Sequence, residues 1–407
     1  MSEEYVIDRL GAQGDGIVGD SRVFVPYALP GERVRASRLG DRAQIDRILV
    51  ASPERQEPGC PHFGHCGGCG LQHASDAFVA AWKARQVASA LKARGIEGVE
   101  MRPIETSPPA SRRRITVAVK RTRSGVQIGF HARASDMVMP IAACLVAVPD
   151  LVDILPNLAE LAEGAASRKG QPRITLTLSE AGVDCAITEA KELDRPGMAL
   201  LAGAAARAGL ARLAWNGEVA VTLAAPIQRF GKARVVPPPG GFLQPTSQGE
   251  AVLVSAVRAA VGDAGRVADL FAGSGTFALP LAEDAEILAV EGEAAALAAL
   301  SAGWREAEGL RRVRTETRDL FARPLRRDEL KGLEAVVIDP PRAGARAQVE
   351  CLAETPVARI ASVSCNPATF ARDARILIDG GYRLDWVQPV DQFRWSHHVE
   401  VVGAFSR

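Results

Sequence analysis

The sequence predicts an α/β protein whose C-terminal part is a parallel, doubly wound sheet, preceded by an α+β segment and a small β-barrel. Three observations carry this. From about residue 249 onward, apolar strands alternate with helical runs, the pattern of strand–helix–strand units. At 266–270 an apolar strand ends in an acid and runs into a glycine-containing loop and a helix. Residues 1–52 hold several short β-rich runs cut by glycines, which reads as a small barrel. The 407 residues exceed one compact domain, and the pattern divides them into 1–52, 53–244 and 245–407.

Taken in order, the first segment shows β runs at 4–10, 22–25, 32–39 and 42–49, separated by Gly11, Gly14, Gly16, Gly19, Gly31 and Gly40. Residues 53–70 are rich in Gly, Pro and Cys and predict little regular structure. Helical periodicity follows at 74–94, with Phe78, Trp82, Val87 and Leu91 on one face. Strands are predicted at 115–121, 126–131, 174–179 and 183–187, with a helix at 148–162. The last segment predicts helices at 250–261, 276–282 and 294–306 and strands at 266–270, 286–291, 335–339 and 359–364.

No apolar run reaches the roughly 18 residues of a membrane helix, and residues 1–10 are acidic and mixed, unlike a secretory leader. The expectation is a cytoplasmic protein without membrane contact. The net charge of +1 conceals an asymmetry. Residues 73–147 carry +7, and residues 245–407 carry −4. The basic stretch contains Lys83, Arg85, Lys92, Arg94, Arg102, Arg112, Arg113, Arg114, Lys120, Arg121 and Arg123. It suits either a solvated face or a polyphosphate partner.

The loop Asp269-Leu270-Phe271-Ala272-Gly273-Ser274-Gly275-Thr276-Phe277 matches neither GxGxxG nor a Walker A motif. Glu291 ends the next strand, where a carboxylate commonly holds a ribose diol. Asp339-Pro340-Pro341-Arg342 follows a wholly apolar strand, and its prolines stiffen the loop and remove two donors. Ser364-Cys365-Asn366-Pro367 places a thiol at another strand end. A lone cysteine is more often a small buried hydrophobe, but this one shares a sheet edge with the glycine loop. Ser396-His397-His398-Val399-Glu400 adds two imidazoles and a carboxylate. A thiol nucleophile with a carboxylate base suits methylation of uracil C5. Thiolate addition at C6 makes C5 enolate-like, and the base later removes the C5 proton.

Seven cysteines are an odd number for a disulfide framework. Cys60-x5-Cys66-x2-Cys69 is a compact ligand set, with Cys144 next along the chain. Four thiolates fit a [4Fe–4S] cluster or a structural zinc, and His62, His65 and His73 keep open a zinc site with one imidazole. Cys185 and Cys351 read as core residues.

The motifs together resemble the bacterial RNA 5-methyluridine methyltransferases, whose larger members carry an N-terminal TRAM domain and a [4Fe–4S] cluster. The resemblance covers nearly the whole chain. Leu10-Gly11 through Pro30-Gly31-Glu32 resembles TRAM, and the stretch from Cys60 to His73 resembles the cluster loop. Phe242-Leu243-Gln244-Pro245, the Asp269 loop, Asp339-Pro340-Pro341-Arg342, Ser364-Cys365-Asn366-Pro367 and His398-Val399-Glu400 follow in the family's order. The resemblance implies a Rossmann-like class I methyltransferase domain using S-adenosylmethionine. It implies Cys60, Cys66, Cys69 and Cys144 as iron ligands, and Gln244, Phe271, Thr276, Glu291, Asp319 and Asp339 as cofactor contacts. It implies Cys365 as the nucleophile and Glu400 as the base. Thr276 stands where the family has Asn, and Ser396-His397 departs from the family's Thr-x before His398. A TRAM domain with a cluster resembles the branch acting on uracil-1939 of 23S ribosomal RNA more than the transfer RNA branch. The expected partner is therefore RNA, bound by a monomer. Phe78 and Trp82 are the few aromatics near the basic stretch, and the target uracil would be flipped from its stack to reach Cys365.

Overall fold

The structure is a computed structural model that describes residues 2–123, 125–167 and 170–407. Its C-terminal sheet is built around seven strands in the order Val313–Thr317, Glu286–Glu291, Arg266–Leu270, Ala335–Ile338, Arg359–Ser364, Glu400–Ser406, Arg383–Asp391. The first five are parallel, and Glu400–Ser406 is antiparallel to both its neighbours. Their near-continuous burial, as in Ala335–Ile338, explains the unbroken apolar runs: both faces of the sheet are covered. One face packs against helices Ser247–Val261, Ala278–Leu281 and Ala294–Glu306. The other packs against Asp76–Lys92, Arg346–Ala353 and Pro367–Asp379. Strand order reverses between Arg266–Leu270 and Ala335–Ile338, the crevice where ligands of such sheets bind.

The first 50 residues form a six-stranded sheet with its own small core, including Ile7, Val25 and Val34. A second core of Leu10, Leu29, Leu71, Val79 and Trp82 joins it to the cysteine-rich loop and the helix Asp76–Lys92. Ser75 caps that helix by accepting from the Phe78 amide at 3.2 Å. Seven strands from Arg114–Thr122 to Glu218–Thr222, with the edge strand Val138–Pro140, make the middle sheet. The helical run expected at 148–162 is instead Pro149–Asp153, a 3₁₀ turn Leu155–Leu158, and Ala159–Ala165. Pro156 lacks the amide that a continuous helix needs there. The helix expected at 276–282 is shorter, Ala278–Leu281.

Part of the middle segment belongs physically to the C-terminal sheet. Glu100–Met101 and Glu105–Thr106 add to it as strands parallel to Arg383–Asp391. Val87, Leu91 and Ile96 lie in its core. Lys83 is wholly buried, paired with Asp391 at 2.5 Å and donating to the Phe393 carbonyl at 3.0 Å. It is therefore a structural charge and no part of the exposed basic face, which keeps Arg85, Lys92, Arg94, Lys120, Arg121 and Arg123. Trp82, 4% exposed, is core and unavailable to stack on a base. Cys185 is fully buried as expected, whereas Cys351 is half-buried.

Candidate active site

The glycine loop is shaped by three left-handed residues: Phe271 (φ 65°), Gly273 (φ 53°) and Gly275 (φ 104°). Positive φ is costly for a phenylalanine. It is held because the amides of Phe271 and Ala272 both donate to the Val290 carbonyl, at 2.9 and 3.1 Å. At Gly275 a Cβ would stand 2.6 Å from Leu279 Cδ1, so the tight turn also needs the missing side chain. The space over Gly273 is open. Glu291 accepts from the amides of Gly273 (3.0 Å) and Glu293 (2.9 Å), which fixes its carboxylate beside the loop.

A cleft of about 520 Å³ opens at this sheet edge. Of the residues singled out from sequence, Gln244, Phe271, Glu291, Asp339, Cys365 and Glu400 line it together. Thr276 and Asp319 do not. Thr276 sits half-buried in the turn behind the loop. The exposed Asp319 accepts from the amides of Phe321 (2.9 Å) and Ala322 (3.3 Å), an arrangement that sets Phe321 against Phe271 with ring centroids 5.3 Å apart.

Cys365 follows the last residue of strand Arg359–Ser364 and precedes helix Pro367–Asp379, whose cap is Asn366, accepting from the Ala368 amide at 3.0 Å. A helix N-terminus favours a thiolate. Burial opposes that, with Glu400 and Asp339 adding repulsion against the help of Arg342, and the thiol is pushed up to about 11. Glu400 opens the strand Glu400–Ser406 and is 6% exposed, so it is no surface acid. Burial and the nearby Asp339 push it up to about 8. Asp339 is raised to about 7 by burial. Asp269, buried beneath the loop, is raised well above the usual range, by burial first and Asp339 second, against the help of the Ala278 amide.

Several residues in the cleft wall or just behind it were not assigned from sequence. Gln392 donates to Gln244 Oε1 at 2.6 Å and sits beside Glu400. Phe393, Arg112 and Arg114 form another part of the wall. The arginine triplet was visible as charge, but nothing in its spacing aimed it at this cleft. Arg113 turns away, pairing with Glu250 at 2.5 Å. The residues just before the Ser396-His397 departure have a structural partner: the Arg394 and Trp395 side chains both bond the Asp76 carboxylate, Trp395 Nε1 at 3.0 Å. The Trp395 carbonyl accepts from Gly70 and Leu71, which ties the approach to Glu400 to the end of the cysteine-rich loop. His398 is pushed down to about 4 by burial and then by His397, so it is neutral at pH 7.

Cys60, Cys66, Cys69 and Cys144 line one further cavity, of about 310 Å³. The Gly68 and Ala147 amides point at the sulfurs of Cys66 and Cys144, each at 3.4 Å. Gln72 is buried, accepts from the Cys60 amide at 3.2 Å and sets its side chain against the Cys69 thiol. His73 packs against Tyr27 and Phe63 and does not line this cavity. Among the described residues, no three His, Cys, Asp or Glu side chains converge to hold a single metal ion.

A family model described as tRNA (Uracil-5-)-methyltransferase matches residues 236–406. An RNA methyltransferase of Brucella suis is 44% identical over 99% of this chain and 98% of its own. The chain belongs to the RNA uracil-C5 methyltransferase family. A 23S rRNA (uracil(1939)-C(5))-methyltransferase of Chromohalobacter salexigens is 33% identical over 98% of this chain and 88% of its own. The fold is that of a Pyrococcus abyssi tRNA (uracil-54, C5)-methyltransferase solved with S-adenosyl-L-homocysteine. That structure has a TM-score of 0.77 at 23% identity and covers 99% of both chains. This family uses S-adenosylmethionine, acts on RNA and has the class I methyltransferase fold. No described helix is long and apolar enough to cross a membrane.

Proposed function

We propose that the protein methylates C5 of a uracil in 23S ribosomal RNA through a covalent adduct between Cys365 and C6. The carrying observation is that Cys365 and Glu400 line the same cleft as the glycine loop and Glu291. S-Adenosylmethionine, bound there, supplies the methyl group and its sulfonium charge. Cys365 forms the sulfur–C6 bond, which drives electron density to C5 and lets C5 take the methyl group. Glu400 then removes the C5 proton, C5–C6 becomes a double bond again, and the bond to Cys365 breaks. Gln244 and Glu291, with Asp339 and Phe271, are the proposed cofactor contacts. Thr276 and Asp319 act through the shape of the loop and of Phe321.

We further propose a [4Fe–4S] cluster held by Cys60, Cys66, Cys69 and Cys144. Four thiols surround a cavity and do not converge on one point, which suits a multi-atom cluster better than a single tetrahedral zinc. The cluster supplies cross-linking between the loop 60–69 and Cys144. The six-stranded N-terminal sheet is read as a TRAM module, and the protein as a cytoplasmic monomer. The whole-length 23S-acting relative supports ribosomal RNA as the substrate. The fold shared with the transfer RNA enzyme supports transfer RNA as the second reading. Labelled S-adenosylmethionine offered with unmodified 23S rRNA and transfer RNA side by side, with the labelled base mapped, decides between them. Label on transfer RNA alone would overturn the ribosomal assignment.

A further inference from the structure

Arg112 stands in the wall between the two cavities and lines both. Its backbone is clamped on each side. The Arg112 amide donates to Val146 O at 2.9 Å and its carbonyl accepts from Val148 at 3.0 Å, two to four residues beyond Cys144. It also bridges to Thr246, close to Gln244. A guanidinium has five donors. Here Nε is used on the Arg114 carbonyl at 3.1 Å, and among the described residues neither an ion pair nor a hydrogen bond occupies the terminal nitrogens. The group faces the Phe393 ring at 5.7 Å on the cleft side, and on the other it shares a cavity with Cys69 and Cys144. A half-buried guanidinium with free terminal nitrogens is costly unless anions reach it.

We propose that Arg112 is a positioning residue shared by the two sites: anionic thiolates of a loaded four-cysteine site orient its guanidinium, whose remaining donors bind a phosphate of the RNA next to the target uridine. The inference rests on the RNA-methylating reading and on a metal at the cysteines. Planar, bidentate contact with phosphate is the recognition that arginine performs best. A phosphate at that place would seat the nucleotide over Cys365, and removing the metal would leave the guanidinium without its orienting charge. Loading of one site would thus be felt in the RNA affinity of the other.

The test is filter binding of a labelled unmodified 23S transcript to the purified, metal-loaded protein with S-adenosylhomocysteine present. Arg112→Gln is expected to weaken binding by about tenfold and to reduce the salt slope of log K by about 0.7–1, one phosphate contact. Arg112→Lys keeps the charge and so is expected to keep the slope. Stripping the metal with a chelator should weaken the wild type but leave R112Q unchanged. Wild-type affinity and slope in R112Q, an equal chelator effect in both proteins, or a slope lowered in R112K would each overturn the proposal. If R112Q also loses S-adenosylhomocysteine binding, the R112K slope decides alone. Iron and zinc analysis and methyl transfer to the same transcript separate these outcomes from failure of the underlying readings: a metal-free preparation overturns the coupling itself.

Discussion

Glu400 at about 8 and Cys365 at about 11 make the wild-type pH profile a two-step one. Below pH 8 both groups are held in their protonated forms, so log(kcat/KM) for S-adenosylmethionine, which reports the enzyme before the donor binds, should climb with a slope near two. Between 8 and 11 only the thiol remains to ionise, and the slope should fall to about one. The ionised fraction of Glu400 is about a tenth at pH 7 and about nine-tenths at pH 9, so the base alone contributes about tenfold over that interval. Glu400→Gln removes the base and a negative charge beside the thiol. The C5 proton then cannot leave, and the Cys365–RNA adduct should accumulate and be visible on denaturing gels. Its rate of formation should climb with a slope of about one, without a break at 8. Asp339→Asn removes a charge that raises Glu400, so in that variant the wild-type break should move to lower pH. A break at 8 that persists in Glu400→Gln would refute the assignment of that ionisation to Glu400. Absence of any trapped adduct would refute its role as the base.

Three further outcomes are expected. Cys365→Ala should retain RNA binding and lose methyl transfer by at least about 10³-fold, read in single-turnover reactions; retained turnover would remove the covalent step. Gly275→Ala forces a Cβ into Leu279 at a left-handed position and should weaken S-adenosylhomocysteine binding at least about tenfold in calorimetry, with unfolding less affected. Asp391→Asn strands the fully buried Lys83 and should cost about 3–5 kcal/mol in urea unfolding. The double change to Met at 83 and Leu at 391 should recover most of that.

The strand–loop–strand logic of 266–291 was legible because each piece is local: an apolar run, an acid, glycines, a second run and a second acid. Glu286–Glu291 and Ala294–Glu306 fall where periodicity put them. What periodicity could not deliver was pairing. Glu400–Ser406 inserts between Arg359–Ser364 and Arg383–Asp391, and only that insertion brings Glu400 beside Cys365. The strands at 100–106 join a sheet nearly 300 residues downstream, a contact with no local signature. Net charge misled for a related reason. Lys83 and Arg113 count toward a basic segment in sequence, yet one is sealed against Asp391 and the other against Glu250. Arg112 and Arg114, from the same triplet, are left facing two cavities, and of these Arg114 spends a terminal nitrogen on the Gly240 carbonyl at 3.0 Å.

The cleft's charges also say when the nucleophile becomes competent. Asp339 and Glu400 both raise Cys365, and Arg342 is the cation that opposes them. A sulfonium placed about 6 Å from the sulfur, at an effective dielectric of about 20, stabilises a thiolate by roughly 3 kcal/mol, about a hundredfold in thiolate fraction. On this reasoning the methyl donor activates its own acceptor's attack, and the thiol stays quiet until the donor is bound. S-Adenosylhomocysteine has a neutral sulfur, while sinefungin carries a cationic amine at the same place and fills the same space. Iodoacetamide alkylation of Cys365, followed by mass spectrometry at pH 8, should therefore be roughly 100-fold faster with sinefungin than with S-adenosylhomocysteine. Equal rates would mean that the carboxylates are neutralised by something other than the cofactor, and that the thiol's activation comes with the RNA.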